Sequence, residues 1–113
     1  MKTRARPSPS QLSQSLEHCI ALCRNTVSAY LDPAEARENT FGQTLLSAIA
    51  AMQTAVAHDT DSTPERRNAA LEIAAKLCYS AAEECRHHGF DEPLLRAADA
   101  CERAATLCRN ALR

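Results

Sequence analysis

Residues 63–89 read TPERRNAALEIAAKLCYSAAEECRHHG, and this stretch decides the fold. Thr63 is a helix cap, Pro64 suits the first helical position, and Asp61 or Glu65 puts negative charge where the helix dipole favours it. Leu71, Ala74, Ala75, Cys78, Ala82 and Cys85 recur with a period near 3.6 and define one apolar stripe. Arg86, His87 and His88 fall in the last turn, where positive charge is favoured, and Gly89 is a natural C′ residue. The stretch predicts one long helix that buries a face carrying two thiols.

Working outward, three more helices follow from the same signals. The first starts at Ser8 or Ser10, with Pro9 tolerated in its opening turn, and carries Leu12, Leu16, Cys19, Ile20, Cys23, Val27 and Tyr30 on one face. Asp32-Pro33 stops it, and Ala34 to Asn39 reads as a short turn. The second runs from about Thr40 to Ala57, with Phe41, Leu45, Ala48, Ile49, Met52 and Val56 inward. A polar loop, His58 to Ser62, precedes the long helix; Asp59 and Asp61 belong to this solvated loop and cap. Asp91 caps the last helix, whose stripe is Leu94, Ala97, Ala98, Cys101, Ala104, Ala105, Cys108 and Leu112. Short connections between long helices predict an all-α, antiparallel up-down-up-down four-helix bundle over residues 9–113, preceded by a flexible basic arm over 1–8.

Composition agrees. In 113 residues there are 2 glycines and 4% aromatics, so hairpin and strand signals are scarce. The formal net charge of −1 gives no reason to expect nucleic acid, and Lys2, Arg4 and Arg6 are too few to bind it alone. No apolar run approaches a membrane span, and the N-terminus shows basic residues without an apolar stretch behind them. A cytoplasmic protein with reduced thiols is expected, with no membrane partner. An Ala-rich bundle has a thin core, so a homo-oligomer that adds apolar burial is expected as well.

The six cysteines carry the functional signal. Cys19 and Cys23 are four residues apart; Cys78 and Cys85, like Cys101 and Cys108, are seven apart. Both spacings return to one helix face. Cβ atoms four apart on a helix lie about 5–6 Å from one another. A disulfide needs about 3.5–4.5 Å, so Cys19–Cys23 suits a bridging ion better than a bond. The thiols seven apart are about 10 Å apart along the axis and need partners on other helices. From estimated levels, Cys78 with Cys101 is the expected cross-helix pair. Thiolates select soft ions, chiefly Cu(I), with Zn as the competitor. No CxxC knuckle of structural zinc is present. Spacing alone leaves the other reading open, in which the cysteines are small buried hydrophobes.

The segment LCYSAAEECRHHGFDEPLLRAADACERAATLCRNA resembles the C-terminal hairpin of the cysteine-rich four-helix-bundle copper-storage proteins, and LEHCIALCRN resembles their CxxxC first-helix motif. The resemblance implies Cu(I) held by bundle-lining thiolates. It puts Cys19, Cys23, Cys78, Cys85, Cys101 and Cys108 on ligand-type positions. This chain departs from the pattern at Ala82, Ala97, Ala104, Leu16 and Leu94, where further thiols are expected, and helix two offers none. A few ions, rather than a large store, is therefore the expectation, with Cys19–Cys23 as the best-defined site.

His88, three residues after Cys85, is a candidate ligand at the bundle mouth, set against a simpler role at a helix C-terminus. His87 is expected in solvent, His18 on the flank of the stripe and Met52 in the core. No phosphate loop, nucleophile elbow or HExxH motif appears, so no enzyme is expected. The alternative is a helical interaction module with cysteines as core filler.

Overall fold

The computed structural model describes residues 10–60 and 63–112. Among them the chain forms five helices and no strand: α1 (Gln11–Tyr30), α2 (Pro33–Glu38), α3 (Thr40–Ala57), α4 (Pro64–His88) and α5 (Glu92–Asn110). The expected basic arm over 1–8, the alternative start at Ser8-Pro9 and the charge of Asp61 lie outside the described residues. No described helix is long and apolar enough to cross a membrane.

The starts of these helices follow their caps. The Ser10 hydroxyl accepts from the Ser13 backbone N–H at 2.9 Å, so α1 begins there. Thr63 accepts from the Arg66 N–H, with Pro64 opening α4. Two expectations about caps need correction. Asp91 makes no side-chain cap to α5; its carboxylate accepts instead from the Tyr30 hydroxyl at 2.9 Å, joining the α4–α5 loop to the end of α1. Gly89 has φ 169°, extended backbone rather than a left-handed cap, and its smallness serves packing: a Cβ there would lie 3.2 Å from Leu94 Cδ1.

The stretch after Pro33 is a helix rather than a turn. Asp32 Oδ1 accepts from the Glu35 N–H at 2.8 Å while Glu35 Oε1 accepts from the Asp32 N–H at 3.0 Å, a complete capping box around DPAE. Asn39 then ends α2 and caps α3, accepting from the Phe41 N–H at 2.8 Å. Gly42 lets the short helix fold back onto α3. A Cβ at that position would meet Ala36 O at 2.4 Å and Ala36 Cα at 2.6 Å.

Each long helix packs on two others: α1 on α3 and α5, and α4 on α3 and α5, closing a ring; α2 packs on α3. That is the pairing expected of four bundled helices. The interior is built from a few large side chains (Leu16, Leu45, Met52, Leu71 and Leu94), many alanines and all six cysteines. Alanine brings the helix axes close, and sulfur then fills what alanine leaves.

A polar network ties one end of the ring. Asp59 accepts from the Ser10 and Ser13 hydroxyls, the latter at 2.8 Å, and pairs with Arg67 at 3.5 Å. Arg67 also donates to the Ala111 carbonyl at 2.9 Å. Asp59 was expected in a solvated loop, yet its side chain is only 6% exposed. The hydroxyls that bury it come from the first turn of α1, almost fifty residues away in sequence, and no local pattern announces them.

Candidate metal centre

Two helices build the site. The i, i+4 spacing on α1 projects Cys19 and Cys23 together on the face that also buries Leu16 and Ile20. From α5, Cys101 projects out of the alanine-lined stripe Ala97, Ala98, Ala104 and Ala105. Because α1 packs directly on α5, the three sulfurs converge. Cys101 Sγ lies 3.4 Å from Cys23 Sγ and 3.7 Å from Cys19 Sγ. All three sulfurs lie within 4.8 Å of one another, and among the described residues no fourth His, Cys, Asp or Glu atom joins the group. Each cysteine is at most 1% exposed.

The expected Cys78–Cys101 pairing gives way here: the sulfurs in contact with Cys101 are those of Cys19 and Cys23. Levels estimated from helix boundaries carry an error of about one turn, or roughly 5 Å, which exceeds the distance that decides a ligand set. Sequence spacing shows which thiols share a helix face but not which neighbouring helix faces them.

The electrostatics of the triad follow from its hydrogen bonds. With all three thiols neutral, Cys19 donates to Cys101. When a proton is lost the bond reverses. Donation from Cys101, then from Cys23, stabilises a Cys19 thiolate against the cost of burial and holds that thiol below its ordinary value. Cys101 is pushed up by serving Cys19 and Cys23 as donor, and by burial. Cys23 gains from Cys101, but its own donation to Cys19 and its burial outweigh that gain and push it up. One thiol is thus poised to ionise while its neighbours hold their protons, as an electropositive ion entering the cluster would require of the first ligand to bind.

The other predicted site residues are placed as follows. Cys78, Cys85 and Cys108 are free thiols, fully buried, outside the three-sulfur group. Burial pushes Cys78 up, Cys85 up to about 12 and Cys108 up to about 11. For Cys78 burial is the main cause, and the neighbouring Cys19, Cys108 and Cys23 sulfurs add to it. The His88 ring stacks on Phe41 with centroids 4.1 Å apart and meets Tyr30 edge-on at 5.6 Å. These aromatic partners were not anticipated, since Tyr30 and Phe41 read only as members of apolar stripes. His18 lines an open groove of about 740 Å³ between α1 and α5, alongside Asp99 and Glu102. Met52 is fully buried.

Chemically, three thiols at one point, with no His, Asp or Glu atom joining them among the described residues, suit a soft, low-coordinate ion. A structural zinc site needs a fourth ligand that the group does not contain. Comparison with curated proteins and with solved structures finds no match. The family model described as copper storage protein (Csp) matches residues 6–113, nearly the whole chain. The chain belongs to the copper storage protein family.

Proposed function

We propose that this protein binds and buffers a small number of Cu(I) ions, the first of them at Cys19, Cys23 and Cys101. The observation that carries the reading is the convergence of three buried sulfurs from two helices. Cu(I) accepts two or three thiolates, whereas zinc seeks four ligands. Cys78, Cys85 and Cys108 supply further single sulfurs along the interior, with Cys85 and His88 forming a weaker site towards the mouth. Leu16, Ala82, Leu94, Ala97 and Ala104 are buried apolar residues where further thiols would raise capacity, and this favours few ions over many.

The same reading takes the ring of helices as an antiparallel up-down-up-down bundle. In its support, Asp59 and Arg67 draw together the starts of α1 and α4 and the ends of α3 and α5. The Tyr30–Asp91 and Phe41–His88 contacts join the opposite ends of the same helices. We place the protein in the cytoplasm, acting by holding its cargo rather than by catalysis, with no nucleic-acid or membrane partner. Phe90 and Ile73, 85% and 54% exposed, favour a homo-oligomer that would cover them. Sedimentation across the working concentration range tests that point, and a monomer throughout removes it.

The test of the function is an anaerobic Cu(I) titration of the reduced protein against a competing chelator. Wild type is expected to hold copper against the competitor. Cys19→Ser/Cys23→Ser should lose about one ion's worth while remaining helical. Equal affinity in the two proteins would return the cysteines to core filler.

A further inference from the structure

The Cys19–Cys23–Cys101 cluster has two properties that bear on a ligand other than copper. The first is compactness. An ion bonded to three thiolates in a plane, with bonds of about 2.3 Å, holds its sulfurs about 4.0 Å apart. A pyramidal centre with the same bonds and near-right angles draws them in to roughly 3.3–3.5 Å. Two of the three separations in the cluster are 3.4 and 3.7 Å, and the third is within 4.8 Å.

The second property is charge. Three thiolates around a monovalent cation leave two negative charges, and around a divalent cation one. The cluster sits among Leu16, Ala97, Ala98 and Ala104 with its cysteines at most 1% exposed. Arg103 acts on Cys19 only as the smallest of the influences on it. Burying net charge in such surroundings is costly. A trivalent centre with three thiolates carries no net charge at all.

We propose that the Cys19–Cys23–Cys101 triad is also a receptor for trivalent arsenic, taken up from water as arsenous acid. The exchange balances without a redox step. Three S–As bonds form as three As–OH bonds break, each thiol proton leaves with one hydroxide, and three waters are released. Arsenic stays trivalent, and its lone pair occupies the fourth direction, so the missing fourth ligand is no deficiency. The proposal uses the sulfurs assigned to copper but stands or falls separately from that assignment.

The test uses the full-length protein, reduced with a phosphine because a thiol reductant would itself take arsenite. Sodium arsenite is titrated in anaerobically and native mass spectrometry reads the product. The expected product carries one arsenic with three hydrogens lost. Cys101→Ala, which keeps an apolar filler in the stripe, should bind at least tenfold more weakly, with helicity checked by circular dichroism. A product that has lost only two hydrogens, no adduct, or a folded Cys101→Ala that binds equally overturns the proposal. Should that variant fail to fold, the hydrogen count on wild type decides alone. Copper bound without arsenite leaves the copper reading intact and removes this one; arsenite bound through three thiols without copper does the reverse.

Discussion

Replacing Gly42 by alanine isolates the contact that docks α2. A Cβ at this position would lie 2.4 Å from Ala36 O, 2.6 Å from Ala36 Cα and 2.9 Å from Ala36 C, whereas ordinary contact begins at 3.4 Å. All three are backbone atoms, so no side chain can rotate away. The short helix must retreat by about 1 Å, and Ala36, now 4% exposed, loses burial. Overpacking of this kind costs about 1–3 kcal/mol. Against it stands the better helix propensity of alanine, at most about 1 kcal/mol and less in a first turn. The net expectation is a loss of about 1–2 kcal/mol, or a fall in Tm of about 5–10 °C. Thermal and urea melts followed by circular dichroism read the change. An unchanged or raised Tm would refute the docking of α2 on Gly42.

Other outcomes follow from the same contacts. Asp59→Asn should cost about 2–3 kcal/mol at neutral pH, since it removes charge-assisted bonds from Ser10, Ser13 and Arg67. Those bonds outweigh burial and hold the Asp59 carboxyl below its ordinary value. Its contribution is therefore complete above about pH 4 and lost as pH falls through the lowered value. Urea midpoints of the two proteins should converge in acid, and a pH-independent gap would count against the network. His88→Ala should lose about 1 kcal/mol of aromatic stacking on Phe41 and Tyr30. His88→Phe should recover the stability without recovering any metal bound at Cys85; if it recovers both, His88 acts by packing alone. Thiolate absorbance of the reduced protein should show one group per chain ionising below the ordinary thiol value of about 8.5, with the rest protonated well above it. Six thiols titrating together would contradict the hydrogen bonds of the triad.

What could be read in advance divides along the line between local and long-range information. The apolar stripe of 63–89, its Thr63-Pro64 start and the bounds of α3 depend on residues within a turn of one another, and they stand as expected. Cys19 and Cys23 were legible as a pair for the same reason. The helix at Pro33–Glu38 was legible too, since Asp32 and Glu35 form a capping box three residues apart, but a proline beside an aspartate reads first as a stop. Cys101 was identifiable as a lining residue, not as the third ligand, because that role depends on α5 lying against α1. The burial of Asp59 and the stacking of His88 on Phe41 depend on the same long-range register, and no spacing encodes them.

The most direct measurement is copper K-edge X-ray absorption on reduced protein loaded with one equivalent of Cu(I). A shell of sulfur alone, about three atoms, is predicted, falling to two in Cys101→Ala. A shell of nitrogen or oxygen, or copper that stays with a weak chelator, would contradict the assignment of Cys19, Cys23 and Cys101 as the primary site.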